Sequence, residues 1–415
     1  MRIVRLIAAC VVLTNVIHAQ EVQRPTGSVL VFRNANVFDG TQRLSGVTVL
    51  VEGGMIQKMG SGLSFPASAE VIDAQGKTLI PGLIDSHTHL GERLVREFLQ
   101  DALAFGVTTE LEMGGSAASL TMRKEGCAGC ADFLTAGTVI TAPGGHPTEM
   151  PASPMPTLSP TADVQAFVDQ RIAEGSDYIK IIDEHQFPTF SPQQIEAIVI
   201  AAHRRNKLAI AHVGSQKEAV ESLEAGVDGI AHVFADSAPD PTFARLVSDH
   251  HAFVITTLTV FESLSAGSRT RWWEQESGLN ARLTPSMKTM LGIRLPASPS
   301  IHLNYAEQTV SMLNKAGVPL LAGTDSPVPG IAHGVSLHRE LELLVQSGLS
   351  ASEALTAATY TPARQFGLHD RGRIAVGLRA DLVLIDGDPT TDIQSLHNIV
   401  GIWKLGVRQT PSIRR

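Results

Sequence analysis

Cysteine is scarce in this chain of 415 residues: three in all, and only Cys127 and Cys130, in GCAGCA, lie beyond position 10. A zinc knuckle would need a second pair of ligands near them, and none is there. Positive charge is in deficit, with 33 Lys and Arg against 41 Asp and Glu. Removing residues 1–19 takes away Arg2 and Arg5 but no acid, which moves the formal charge from -8 to -10. A nucleic-acid partner is therefore not expected. The chain also lacks an unbroken apolar run of about 20 residues, which a membrane anchor requires. Thr14, Asn15 and His18 interrupt the one near the start. No internal repeat or low-complexity tract stands out. A charged share of 18% beside a hydrophobic share of 43% leaves no compositional case for disorder.

The first residues, MRIVRLIAACVVLTNVIHAQ, place two arginines before an apolar run from Leu6 to Leu13 and a small-residue exit at Ala19. They read as a signal peptide over 1–19, which makes the protein exported, periplasmic or secreted, with no membrane contact after removal. Ile7-Ala8-Ala9-Cys10 resembles a lipoprotein cleavage box, but cutting there leaves too short an apolar region. In an oxidising setting Cys127 and Cys130 either close a tight local disulfide or remain two free thiols.

From Ser28 to Leu79 short β-rich runs alternate with glycine turns, and the same texture returns in GRIAVGLRADLVLIDG and IVGIWKLGVRQ. Between them lie eight apolar strands: LIPGLIDSHTHL, VTTELEM, TVITAPGG, YIKIID, LAIAHVG, GIAHVF, FVITTLTV and PLLAGTDS. Helical segments are expected between them at Ala162–Glu174, Pro192–Arg205 behind a Ser191 cap, and Lys217–Ala225. Eight such units in series predict an α/β fold, a (β/α)8 TIM barrel. The seventh unit makes a long excursion from Val260 to Ser300, expected as a lid or substrate loop on the active face.

Six residues close apolar runs and so are expected to gather at one end of one parallel sheet: His87, His89, Lys180, His212, His232 and Asp325. His87 and His89 are one residue apart, and a strand sends i and i+2 to the same face, so two imidazoles can hold one ion.

With these motifs in this order, the chain resembles the amidohydrolase superfamily in its two-metal form with a bridging carbamylated lysine, over nearly everything after the leader. The resemblance implies a small composite β-sandwich from residues 27–79 and 370–412 beside a barrel over 80–369. It implies that His87, His89 and Asp325 hold one divalent ion, His212 and His232 a second, and Lys180 bridges them. An ammonium would repel cations, but an amine that captures carbon dioxide becomes a carbamate with two oxygen donors. Zinc is the expected metal. A bridging hydroxide then attacks a carbonyl, and Asp325 accepts its proton and returns it to the departing nitrogen.

His146 follows Gly144 and Gly145 and matches a GGH segment in relatives of the imidazolonepropionase, prolidase and ochratoxin-amidase kind, which implies a substrate contact; its bland alternative is a polar loop residue. Arg269, Arg271, Trp272 and Trp273 offer a grip on an acidic aromatic substrate, or else face water and pack their loop. His250, His251, His302, His333 and His338 are read as structural. Relatives often carry Arg-Asp where this chain has Glu110-Leu111-Glu112, and Asp183-Glu184-His185 replaces a small, glycine-rich segment. Both departures point to an unusual substrate. The expected activity is hydrolysis of small amides, N-acyl amino acids or dipeptide-like compounds. The alternatives are a lactonase or esterase, a cyclic amidase, and a non-catalytic scaffold. An oligomer is compatible with the sequence.

Overall fold

The computed structural model describes residues 29–150, 155–265 and 272–410. The leader at 1–19, Arg269 and Arg271 lie outside the described residues. In chain order the strands are β1 (Leu30–Phe38), β2 (Arg43–Glu52), β3 (Met55–Gly60), β4 (Glu70–Asp73), β5 (Lys77–Pro81), β6 (Leu83–Thr88), β7 (Val107–Glu112), β8 (Asp132–Thr135), β9 (Ile179–Asp183), β10 (Ala209–Val213), β11 (Gly229–Ala231), β12 (Phe253–Ile255), β13 (Leu320–Leu321), β14 (Leu382–Asp386), β15 (Ile399–Lys404) and β16 (Val407–Gln409).

The chain ends build one mixed sheet in the order β16-β15-β14-β5-β1-β2-β3, with β4 beside β1. β5 joins the two ends, pairing parallel with β1 and antiparallel with β14. Phe32 on β1 meets Trp403 on β15 edge-on, with ring centroids 4.8 Å apart. Neighbouring strands are themselves about 4.8 Å apart, and β5 and β14 lie between these two. The sheet must therefore fold over, and it encloses Phe32, Val49, Leu79, Leu382 and Trp403 in a core of its own.

β6 to β8 form a parallel sheet of three strands and β9 to β13 one of five. Hydrogen bonds join them at both edges. Ile140 donates to the carbonyl of Lys180 and accepts from the amide of Ile182. On the other side Ser86 donates to Ala322, Asp325 to His87, and His89 to Ser326. Ile84, Leu111, Ile210, Phe253, Ile255 and Leu321, from five of these strands, pack into one buried cluster. A larger core lies where the helices cover the strands, including Ile179, Ile181, Ile198, Leu223, Leu341 and Leu344.

Local chemistry explains the helix starts. Ser191 accepts from the amide of Gln194 while the Gln194 side chain returns to the Ser191 amide, opening Pro192–His203. The other expected helices run Val164–Glu174 and Gln216–Glu224. Two expectations need correction. The third strand is Asp132–Thr135, and of the apolar run TVITAPGG only Ile140 makes a ladder contact. The Asp132 carboxylate on this strand meets Lys404 Nζ at 2.6 Å, Arg379 at 2.8 Å and Arg371 at 2.9 Å, so cations from distant segments pair its charge. The seventh strand stops at Ile255, and a helix, Leu258–Leu264, takes over the rest of its apolar run. Among its described residues the long excursion carries the helices Trp272–Gln275, Ser277–Asn280 and Pro285–Gly292, and Trp273 is buried there with Leu279, Leu283, Met287 and Leu291. Trp273 thus packs its loop.

Cys127 and Cys130 are joined in a disulfide. Among the described residues, no helix is long and apolar enough to cross a membrane.

Candidate metal centre

Strand alternation places Asp85, His87 and His89 on one side of β6 and its continuation. The Nε2 atoms of His87 and His89 are 3.3 Å apart, and Asp325 Oδ1 lies 3.3 Å from the first and 3.0 Å from the second. Donors around a tetrahedral ion with bonds of about 2.0–2.1 Å are separated by roughly 3.3 Å. The three atoms match one coordination face. The His232 ring lies 4.6 Å from that of His87 and 4.8 Å from that of His212, and the donors of His87, His232 and Asp325 all fall within 4.8 Å of one another.

Lys180 does not close its strand, as the apolar run suggested, because Ile181 to Asp183 continue it. In the parallel register Lys180 faces Ile210, whereas His212 faces Ile182. The lysine therefore starts two residues, roughly 6.6 Å, below the level of His212, and a long side chain can climb that distance. Its Nζ is buried without a hydrogen-bond partner. Burial lowers this amine to about 7, although the Asp325 carboxylate pulls the other way. Burial and then the Lys180 charge push His87 down to about 3. His212 and His232 are held below the ordinary imidazole range, first by burial. Burial also pulls on His89, but the hydrogen bond and charge of Asp325 outweigh it and leave that ring raised. Burial opposes ionisation of Asp325, yet His87 and His89 hold its carboxyl well below its usual value. Three imidazoles pushed toward the neutral form, a fourth paired with an ionised carboxylate, and an unsatisfied amine make up a donor set that suits divalent cations, and these residues fit such a pair.

Supporting contacts aim several of these groups. Asp85 accepts from the His87 amide at 3.2 Å and from Thr324 Oγ1 at 2.7 Å. His89 Nδ1 lies 3.4 Å from the Gly114 carbonyl, His212 Nε2 lies 3.4 Å from Glu184 Oε2, and His232 Nδ1 lies 2.7 Å from Thr257 Oγ1. His232 and Asp325 both adopt left-handed backbone, with φ of 78° and 63°. Such conformations persist only where surroundings enforce them, and they concentrate at functional sites. His146 stacks over His212 at 5.4 Å and bonds Glu149 at 2.7 Å, which sets it at the edge of the imidazole group. The residues Glu110 and Glu112 are both buried. Glu110 lies 2.9 Å from His333 Nδ1, while Glu112 accepts from the Leu90 amide at 3.2 Å, next to His89. Asp183, His185 and Glu221 form a second group of possible donors within 4.8 Å of one another.

Asp85 could have been found in the sequence, since it precedes His87 by two positions on the same strand face. Thr257 could not, because its contact depends on a backbone turn after β12.

A family model described as "Amidohydrolase family" matches residues 78–410. The imidazolonepropionase of Deinococcus deserti is 26% identical over 403 residues, covering 88% of this chain and 92% of that protein. The ochratoxinase of Aspergillus niger is 25% identical over 269 residues, 61% of this chain; the match spans 51% of that relative, about half its length. Among solved structures, a putative prolidase from Bifidobacterium longum has a TM-score of 0.75 at 25% identity, covering 94% of this chain and 97% of that one. Because the family match takes in both the histidine pair at the end of β6 and the aspartate after β13, and extends over most of the sequence, the chain belongs to the amidohydrolase family.

Proposed function

We propose that this protein is a hydrolase that cleaves the carbon–nitrogen bond of small amides, N-acyl amino acids or dipeptide-like compounds at a two-metal centre. Residues 80–369 act as a closed (β/α)8 barrel carrying that centre, and 27–79 with 370–412 form the composite sheet domain beside it. His87, His89 and Asp325 would hold one divalent ion, His212 and His232 the other, with zinc as the metal. Lys180, once carbamylated, would supply oxygen donors to both: the neutral amine would bond to the carbon of carbon dioxide, and the proton it loses would go to solvent. The single observation that carries this reading is the Lys180 amine, buried without a partner. Four imidazoles and one carboxylate surround it closely enough to interact with its charge.

When bound, such a pair of ions acidifies water and polarises a carbonyl. Asp325 accepts the proton of the attacking water and delivers it to the leaving nitrogen, with Oδ1 held by His87 and His89. His146, stacked on His212, contacts the substrate's outer part. The amide preference is supported by relatives named as a prolidase and an ochratoxinase. The leader at 1–19 makes export part of the same proposal.

The test is metal analysis with hydrolysis assays on parallel panels of N-acyl amino acids, dipeptides, esters, lactones and cyclic amides. About two ions per chain are expected, with turnover highest on the open-chain amides. Asp325→Asn should lower turnover by about 100- to 10,000-fold while circular dichroism stays unchanged. Preference for lactones or esters would refute the substrate class, and full activity in Asp325→Asn would remove the proton carrier.

A further inference from the structure

We propose that Thr257, held by Glu340, is a positioning residue that fixes the His232 imidazole as its Nδ1–H tautomer and so leaves Nε2 free as the donor. The inference rests on the reading of His232 as a metal ligand. Thr257 follows β12 in a left-handed conformation, φ 47°, which a β-branched side chain rarely adopts. Its hydroxyl lies 2.7 Å from His232 Nδ1, and both groups are buried. His232 is itself left-handed. Two costly backbone conformations therefore meet across one short contact, and something must enforce them.

Glu340 supplies the enforcement. It projects from the helix Val335–Gln346, and its carboxylate is fully buried. Oε1 accepts from Thr256 Oγ1 at 2.5 Å and from the Leu258 amide at 2.9 Å; Oε2 accepts from the Thr259 amide at 2.8 Å. The carboxylate grips the chain on both flanks of Thr257. Thr259 Oγ1 in turn donates to the carbonyl of Thr324 at 3.1 Å, the residue before Asp325. One buried acid thus ties the histidine side of the centre to the aspartate side.

A threonine hydroxyl can accept from Nδ1–H or donate to a bare Nδ1. Only the first leaves a lone pair on Nε2. A histidine ligand whose other nitrogen is fixed by a hydrogen bond keeps its tautomer and ring orientation, and losing that partner typically weakens metal binding 10- to 100-fold.

The experiment uses nitrogen-15 NMR of the histidine rings in the full-length metal-free protein, followed by titration with zinc. Wild type and Thr257→Ser should show His232 as Nδ1–H. Thr257→Val, which keeps the shape and removes the hydroxyl, should lose that single tautomer and weaken zinc binding at His232 about 10- to 100-fold. Glu340→Gln should behave like Thr257→Val, and Thr257→Ala repeats the test should valine not fold. A purely structural role predicts lower stability with tautomer and zinc affinity unchanged in Thr257→Val, and that result overturns the proposal, as does Nε2–H in the wild type. If zinc leaves the wild-type His232 signals unmoved, the metal-ligand reading fails first and this inference with it.

Discussion

Lys180→Met removes a charge while keeping an apolar stem of similar length, and the structure predicts opposite effects on the metal-free and metal-loaded protein. The folded amine falls from 10.5 to about 7, through burial that Asp325 only partly offsets. At about 1.4 kcal/mol per pH unit, that difference costs the metal-free fold roughly 5 kcal/mol. Between about pH 7 and pH 10.5 the unfolded chain holds a proton that the folded chain does not, so stability rises with pH across that window. The cost is fully present below about pH 7, fades as pH rises toward 10.5, and is absent above it. In metal-free buffer stripped of carbon dioxide, urea unfolding of Lys180→Met at pH 7 should therefore show a gain of about 3–5 kcal/mol over wild type, shrinking toward zero near pH 10.5. With zinc and bicarbonate restored the order reverses, because the variant keeps at most one of two ions. A metal-free variant no more stable than wild type would refute the account of the amine as an unsatisfied buried group, and retention of both ions would remove the bridge.

Three further outcomes follow from the packing. Asp132→Asn weakens the charged contacts to Lys404, Arg379 and Arg371 that tie β8 to the sheet domain, and should destabilise the protein by about 1–3 kcal/mol, seen as a lower midpoint in thermal unfolding. Gly323→Ala brings a methyl to 2.6 Å from Ile255 Cγ2 and 2.9 Å from the His87 amide nitrogen, where backbone cannot yield. It should cost about 1–3 kcal/mol or more and disturb zinc binding at His87; a normal melting curve with normal zinc content would refute that close approach. His146→Ala should keep both ions and raise KM by about tenfold on the preferred amide, at the scale of one charge-assisted hydrogen bond, with kcat less affected. Unchanged KM would return His146 to the class of polar loop residues.

Much of the site was legible because strand periodicity is a local rule. His87 and His89 are one residue apart, so any buried strand brings their rings together, and the observed Nε2 separation of 3.3 Å follows from that. The helix at Pro192–His203 was equally readable, since its Ser191 cap and Pro192 start lie within the segment itself. The strand at Asp132–Thr135 was missed for the opposite reason: the partners of Asp132, Arg371, Arg379 and Lys404, lie more than 200 positions away and leave no local signal. Lys180 was found by residue type and strand order, but its depth below His212 depends on the register between β9 and β10.

By itself the sequence determined the donor types, their order along the chain and the alternation of apolar strand and helix, because each is set by residues close together in the chain. Only the tertiary structure decided that Asp325 reaches between His87 and His89, that Thr257 faces His232 from a left-handed turn, and that Glu340 grips that turn from a distant helix. Those contacts join residues tens to hundreds of positions apart. They exist because burial leaves each of these polar groups no water to bond, so each must find its partner across the fold.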